Sequence, residues 1–102
     1  MKDVLDTLIS SGHRVEQARI TAVGLSITDG WIVCTIAHAP DGSRFNIAIC
    51  CQSIVRRMKH PFLVNIPCWI VRHPSEWRLV PACWSAVLDA ISRELDRMES
   101  GT

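Results

Sequence analysis

The chain has 102 residues, 48% of them hydrophobic and 21% charged, with a formal net charge of +1. That composition belongs to one globular domain spanning 1–102, able to bury roughly 60–65% of its unfolded surface. It excludes a disordered chain and a global field that would draw in nucleic acid or anionic lipid.

No apolar run approaches the roughly 18–20 residues needed to span a bilayer. Met1-Lys2-Asp3-Val4-Leu5-Asp6 puts acids where a signal peptide needs basic and then uninterrupted apolar residues, so a cytoplasmic location is expected. Nine of the eleven cationic residues are Arg. Arg suits interfaces better than Lys because its guanidinium is planar and weakly hydrated. Five cysteines, an odd number without a C-x-x-C, argue for free thiols that pack as small hydrophobes.

In chain order, Val4, Leu5, Leu8 and Ile9 recur at helical spacing and Gly12 follows as a helix stop, predicting a short helix over 3–11. His13–Arg19 reads as a connector. Ile20–Ile27, Trp31–His38 and Arg44–Cys50 alternate apolar and polar residues, predicting a three-strand meander. Asp29-Gly30, taken as a two-residue turn, sets Ile27 opposite Ile32, Leu25 opposite Cys34 and Val23 opposite Ile36. A four-residue loop over Ala39–Gly42 sets Ile36, Cys34 and Ile32 opposite Phe45, Ile47 and Ile49. Both turns build the same apolar face.

Ser53–Lys59 forms two helical turns that bury Ile54, Val55 and Met58, and Pro61 stops them. Phe62–Ile66, bounded by Pro61 and Pro67, is expected as a connector or edge strand rather than a central one. Cys68–His73 and Trp77–Val80 make a second hairpin. The last element, over 82–98, carries Trp84, Val87, Leu88, Ile91, Leu95 and Met98 on one stripe, with Trp84 expected in the core and Pro81 at the first turn. The fold class is therefore α+β: an antiparallel sheet of a meander and a hairpin, packed by a long C-terminal helix and two shorter ones.

The opposite sheet face carries Ala22, Gly24, Ser26, Trp31, Val33, Thr35, Ala37, Asn46, Ala48 and Cys50, with only Arg44 charged. A face that water alone covers normally carries more charge. Either the two shorter helices cover it or another chain does. The expectation is a non-catalytic protein-binding module, a homodimer or a binder of another protein, using Trp31, Val33, Thr35, Trp69 and Trp77.

Arg56, Arg57 and Lys59, followed by His60, are the one basic concentration and carry the alternative of a nucleic-acid-binding regulator. Cys50-Cys51 has no base or cation at a defined spacing to activate it. His60, Cys68 and His73 lack the tight paired-ligand unit of a zinc site, so no metal or cofactor is expected. Hydrolytic triads, G-x-S-x-G and phosphate loops are missing, and no catalytic residue is assigned.

The order helix, three strands, helix, two strands, helix resembles that of the cargo chaperones of bacterial type III secretion. That resemblance implies a dimer that binds a non-globular protein segment. The near-neutral charge departs from the acidic character usual in that family.

Overall fold

The computed structural model describes residues 2–26, 30–38 and 42–101. The chain folds as helix α1 (Lys2–Ser10), strands β1 (Val15–Leu25), β2 (Ile32–Ala37) and β3 (Arg44–Ile49), and a single helical turn α2 (Gln52–Val55). Strands β4 (Phe62–His73) and β5 (Glu76–Leu79) follow, then a 3₁₀ turn at Pro81–Cys83 and helix α3 (Trp84–Ser100). The five strands form one antiparallel sheet in the order β3-β2-β1-β4-β5. The fold class is the expected α+β, with a five-strand sheet packed against the long C-terminal helix.

The β2–β3 register is the one the alternation predicts: Ile32 faces Ile49, Cys34 faces Ile47 and Ile36 faces Phe45. The β1–β2 register is not. Leu25 pairs with Ile32, Val23 with Cys34 and Ile20 with Ile36. Ser26 N–H donates to the Trp31 carbonyl, so the two strands close at Ser26 and Trp31. Ile27 and Asp29 lie outside the described residues. The correction is a shift of two positions at Leu25 and Val23, which keeps their faces, and of three at Ile20, beyond a break in the register.

The segment read as a connector, His13–Arg19, supplies the first five residues of β1, from Val15. Its alternation is broken by a register shift between Ile20 and Ala22. A bulge inserts one residue and reverses the parity beyond it. Ala18 and Ile20 before it, and Val23 after it, are therefore all buried on one face. Strict alternation from Ile20 onward hid the earlier half of the strand.

Phe62–Ile66 is not a connector but the first half of β4, paired with β1 on one side only, so the expected edge-strand character holds there although β4 as a whole lies between β1 and β5. Pro67 stands inside that strand, paired with Arg19. Pairing with β5 begins only at Ile70, leaving one side of β4 open at Pro67, where a missing N–H is tolerated. The predicted second hairpin is present, with His73 opposite Glu76.

The core lies between the sheet and α3. Val87, Ile91 and Leu95 of α3 are buried, as are Ile20, Ile32, Cys34, Ile36, Ile49, Ile70 and Leu79 of the sheet. Cys83, Val87, Ile91 and Leu95 follow one another at four-residue steps, so the centre of the stripe runs through them. Trp84, expected in the core, falls beside that line in the first helical turn and is 40% exposed. Arg57, just after α2, ties that turn to α3 by donating to Ser92, Asp96 and Glu99. Gly12 takes φ +88° after α1, the left-handed stop its position predicts.

Candidate interaction face of the sheet

The outer face, opposite α3, is organised in rows by the strand register. Arg19, Ala37 and Arg44 form one row across β1, β2 and β3, with Pro67 of β4 beside Arg19. Ala22, Thr35 and Asn46 form the next, with Leu63 opposite Ala22. Gly24, Val33 and Ala48 form a third. Ala22, Gly24, Val33, Thr35 and Ala37 are half-buried, and Arg19, Arg44, Asn46, Ala48 and Pro67 are exposed. Leu63 is 84% exposed, far more than any other large apolar side chain described.

The two hydroxyls here are spent within the sheet, Thr21 donating to the Thr35 carbonyl and Thr35 to Asn46 Oδ1. Beside them lies a concavity of about 420 Å³ whose lining includes Gln17, Arg19, Thr21, Ala37, Pro67 and Trp69. Its walls come from β1, β2 and β4. Small Ala37 leaves the space, while Trp69 and Pro67 give it an apolar side.

Of the expected partner-binding residues, Val33, Thr35 and Trp69 share this outer face by register, and Trp31 just precedes β2 and is 38% exposed. Trp77 does not join them. It is paired with Arg72, one step along from the buried Leu79, and its ring meets His38 edge-on, centroids 4.8 Å apart.

That second grouping, at one end of the core face, was not foreseen. His38 is 2% exposed, and its Nε2 is hydrogen-bonded to Glu16 Oε2. Arg14 Nε donates to Glu16 Oε1 at 2.7 Å. The Arg14 and Arg72 guanidiniums stand 5.4 and 5.6 Å from the Trp77 ring centroid. Burial pushes the Glu16 carboxyl up, but the hydrogen bonds from His38 and Arg14 outweigh it and hold the pKa below its usual value. An ionised carboxylate only accepts, so His38 carries its proton on Nε2. The readable signal was parity: His38 continues the series Ile32, Cys34, Ile36 onto the buried face. Glu16 was missed because it sits in the part of β1 read as a connector.

In the basic segment, Arg57 is engaged by Asp96 and Glu99 of α3, and their carboxylates raise its pKa. Arg56 and Lys59 are exposed. A shallow site of about 370 Å³ includes Arg57, Lys59 and His60 in its lining together with Glu99, so its charge is mixed. Among the described residues no three side chains of the His, Cys, Asp or Glu type converge on a point, and His60, Cys68 and His73 remain apart.

The Cys51 thiol is held below its usual pKa by the Ser53 hydroxyl, 3.3 Å away. Burial pushes Cys34 and Cys68 up to about 12 and also raises Cys83. No helix among the described residues is long and apolar enough to cross a membrane.

Fold and face together define a class, an α+β sheet protein with one side packed against a long helix and the other side partly exposed, buried at Val71 and bare at Leu63. No protein-family model matches the chain, no curated protein matches it, and no solved structure matches it. The resemblance to secretion cargo chaperones thus rests on the order of elements alone.

Proposed function

We propose that this chain is a non-catalytic protein-binding module whose contact surface is the outer face of its sheet. The observation that carries the reading is the composition of that face across three rows: Ala22, Gly24, Val33, Ala37 and Ala48 between short polar residues, with Leu63 protruding into solvent. Gly24 already lies against Pro61 of the same chain, and the other small residues let a partner's backbone approach closely. A sheet face exposed to water for its own sake is ordinarily built from longer charged side chains. The homodimer expected from the sequence is one form such binding takes.

Size-exclusion with light scattering tests it. A mass above that of the monomer at high micromolar concentration, falling to the monomer in Leu63→Glu, would show the homodimeric form, and a monomer that binds one of the peptides described below would show the form with a different chain. Leu63 has few contacts of its own to lose, so the variant should keep its circular dichroism spectrum. A native chain that stays monomeric removes the homodimer. If it also binds neither of the peptides described below, the binding reading goes with it.

A further inference from the structure

We infer that the outer face takes an acidic segment of a partner protein, seated with a carboxylate over Ala37 and an apolar side chain against Trp69 and Pro67. The inference rests on the protein-binding reading and specifies its partner. It starts from the register, which places Arg19 and Arg44 in one row on either side of Ala37. With strands about 4.8 Å apart, the two backbones stand about 10 Å from each other, with the Ala37 methyl between them in the row.

Neither arginine has an ion-pair partner among the described residues. Arg19 donates from Nη1 to Asn65 Oδ1 at 2.9 Å, a neutral acceptor that orients the guanidinium without neutralising it. The described carboxylates are elsewhere. Glu16 is on the core face with His38 and Arg14, and Glu76, on β5, is paired with Arg78. Asp3 and Asp6 are on α1, and Asp89, Glu94, Asp96 and Glu99 are on α3. Among the described strand positions, the outer face around Ala37 is thus cationic without an internal counter-charge.

Guanidinium groups pair with carboxylates in bidentate geometry, and two exposed arginines in one row offer an acidic segment two such contacts. The concavity that Ala37 opens is continuous with Trp69 and Pro67, so the same segment that supplies the acid has an apolar wall beside it. A second copy offering this same face would instead set arginines against arginines. The charge complementarity therefore favours a different, acidic chain.

The test uses two fluorescein-labelled peptides, one alternating Leu and Glu and the other alternating Leu and Lys, in fluorescence anisotropy with the full chain. The acidic peptide should bind and the basic one should not, with affinity falling between about 20 and 300 mM salt as exposed charges are screened. Arg19→Ala with Arg44→Ala should weaken binding by roughly tenfold. Ala37→Glu places an internal carboxylate between the two arginines of the row and should abolish binding while leaving the thermal midpoint the same or higher.

Charge reversal at both arginines should transfer binding to the basic peptide, a gain that a misfolded variant does not give. Equal binding of both peptides, no binding of either, or indifference to the arginine substitutions overturns the inference. If light scattering at the same time shows a dimer that Leu63→Glu dissolves, the protein-binding reading stands and only the acidic partner is lost.

Discussion

Glu16 holds together a contact at the sheet's end: it faces the sealed side of the sheet, receives Arg14 from just before its own strand and meets His38 just after β2. Its folded pKa lies below the usual glutamate value. Such a group adds stability that is present above the unfolded pKa and lost as pH falls through the folded one. The expected outcome is that denaturant midpoints of the native chain decline through the acid range below the usual glutamate pKa. Glu16→Gln should flatten that decline while lowering the midpoint at pH 7, since His38 then loses an ionised acceptor. Urea titrations from pH 7 to pH 3 check it, and parallel curves for the two proteins would remove Glu16 from the acid response. This pair was partly legible in the residues. Parity placed His38 inward, but Glu16 was hidden because a bulge cannot be seen as a break in alternation until both halves of the strand are recognised.

Elements show the same division between what pattern reveals and what it conceals. The Ala39–Gly42 loop length gave the β2–β3 register because Ile32, Cys34 and Ile36 meet Ile49, Ile47 and Phe45 without any insertion. Asp29-Gly30 misled because a tight turn and a longer loop ending in the same glycine look alike in sequence. Gly30 does take a positive φ of 71°, yet Ser26 and Trp31 close the loop. For α3, helical spacing identified the element but widened its apolar stripe. Ile91 is fully buried at its centre, whereas Trp84 lies at the flank. Ile91→Ala should cost about 2–5 kcal/mol, the range for truncating a fully buried aliphatic side chain. Trp84→Ala, despite deleting a larger side chain, should cost less than Ile91→Ala, as read by urea unfolding of both variants. The reverse order would mean that Trp84 carries the packing of α3 after all.

At the scale of the whole molecule, the cysteines report whether sheet and helix open together. Cys34 lies in β2, Cys68 in β4 and Cys83 in the turn leading into α3, and all three are buried between the layers. Burial keeps Cys34 and Cys68 protonated far above neutrality, with pKa near 12, and raises Cys83 in the same direction. Cys50 is exposed, and half-buried Cys51 has a thiol favoured toward the reactive thiolate by Ser53. An aromatic disulfide reagent at pH 7.5 should therefore titrate Cys50 and Cys51 in the folded protein and leave the other three. Those three should become reactive together, at a denaturant concentration matching the loss of tryptophan fluorescence, because each is released only when the sheet parts from α3. Early reaction of Cys83 alone, located by mass spectrometry of the labelled peptides, would show α3 leaving the sheet while the strands remain paired. The two layers would then be separate cooperative units, and the open outer face would belong to a sheet able to persist without its helix.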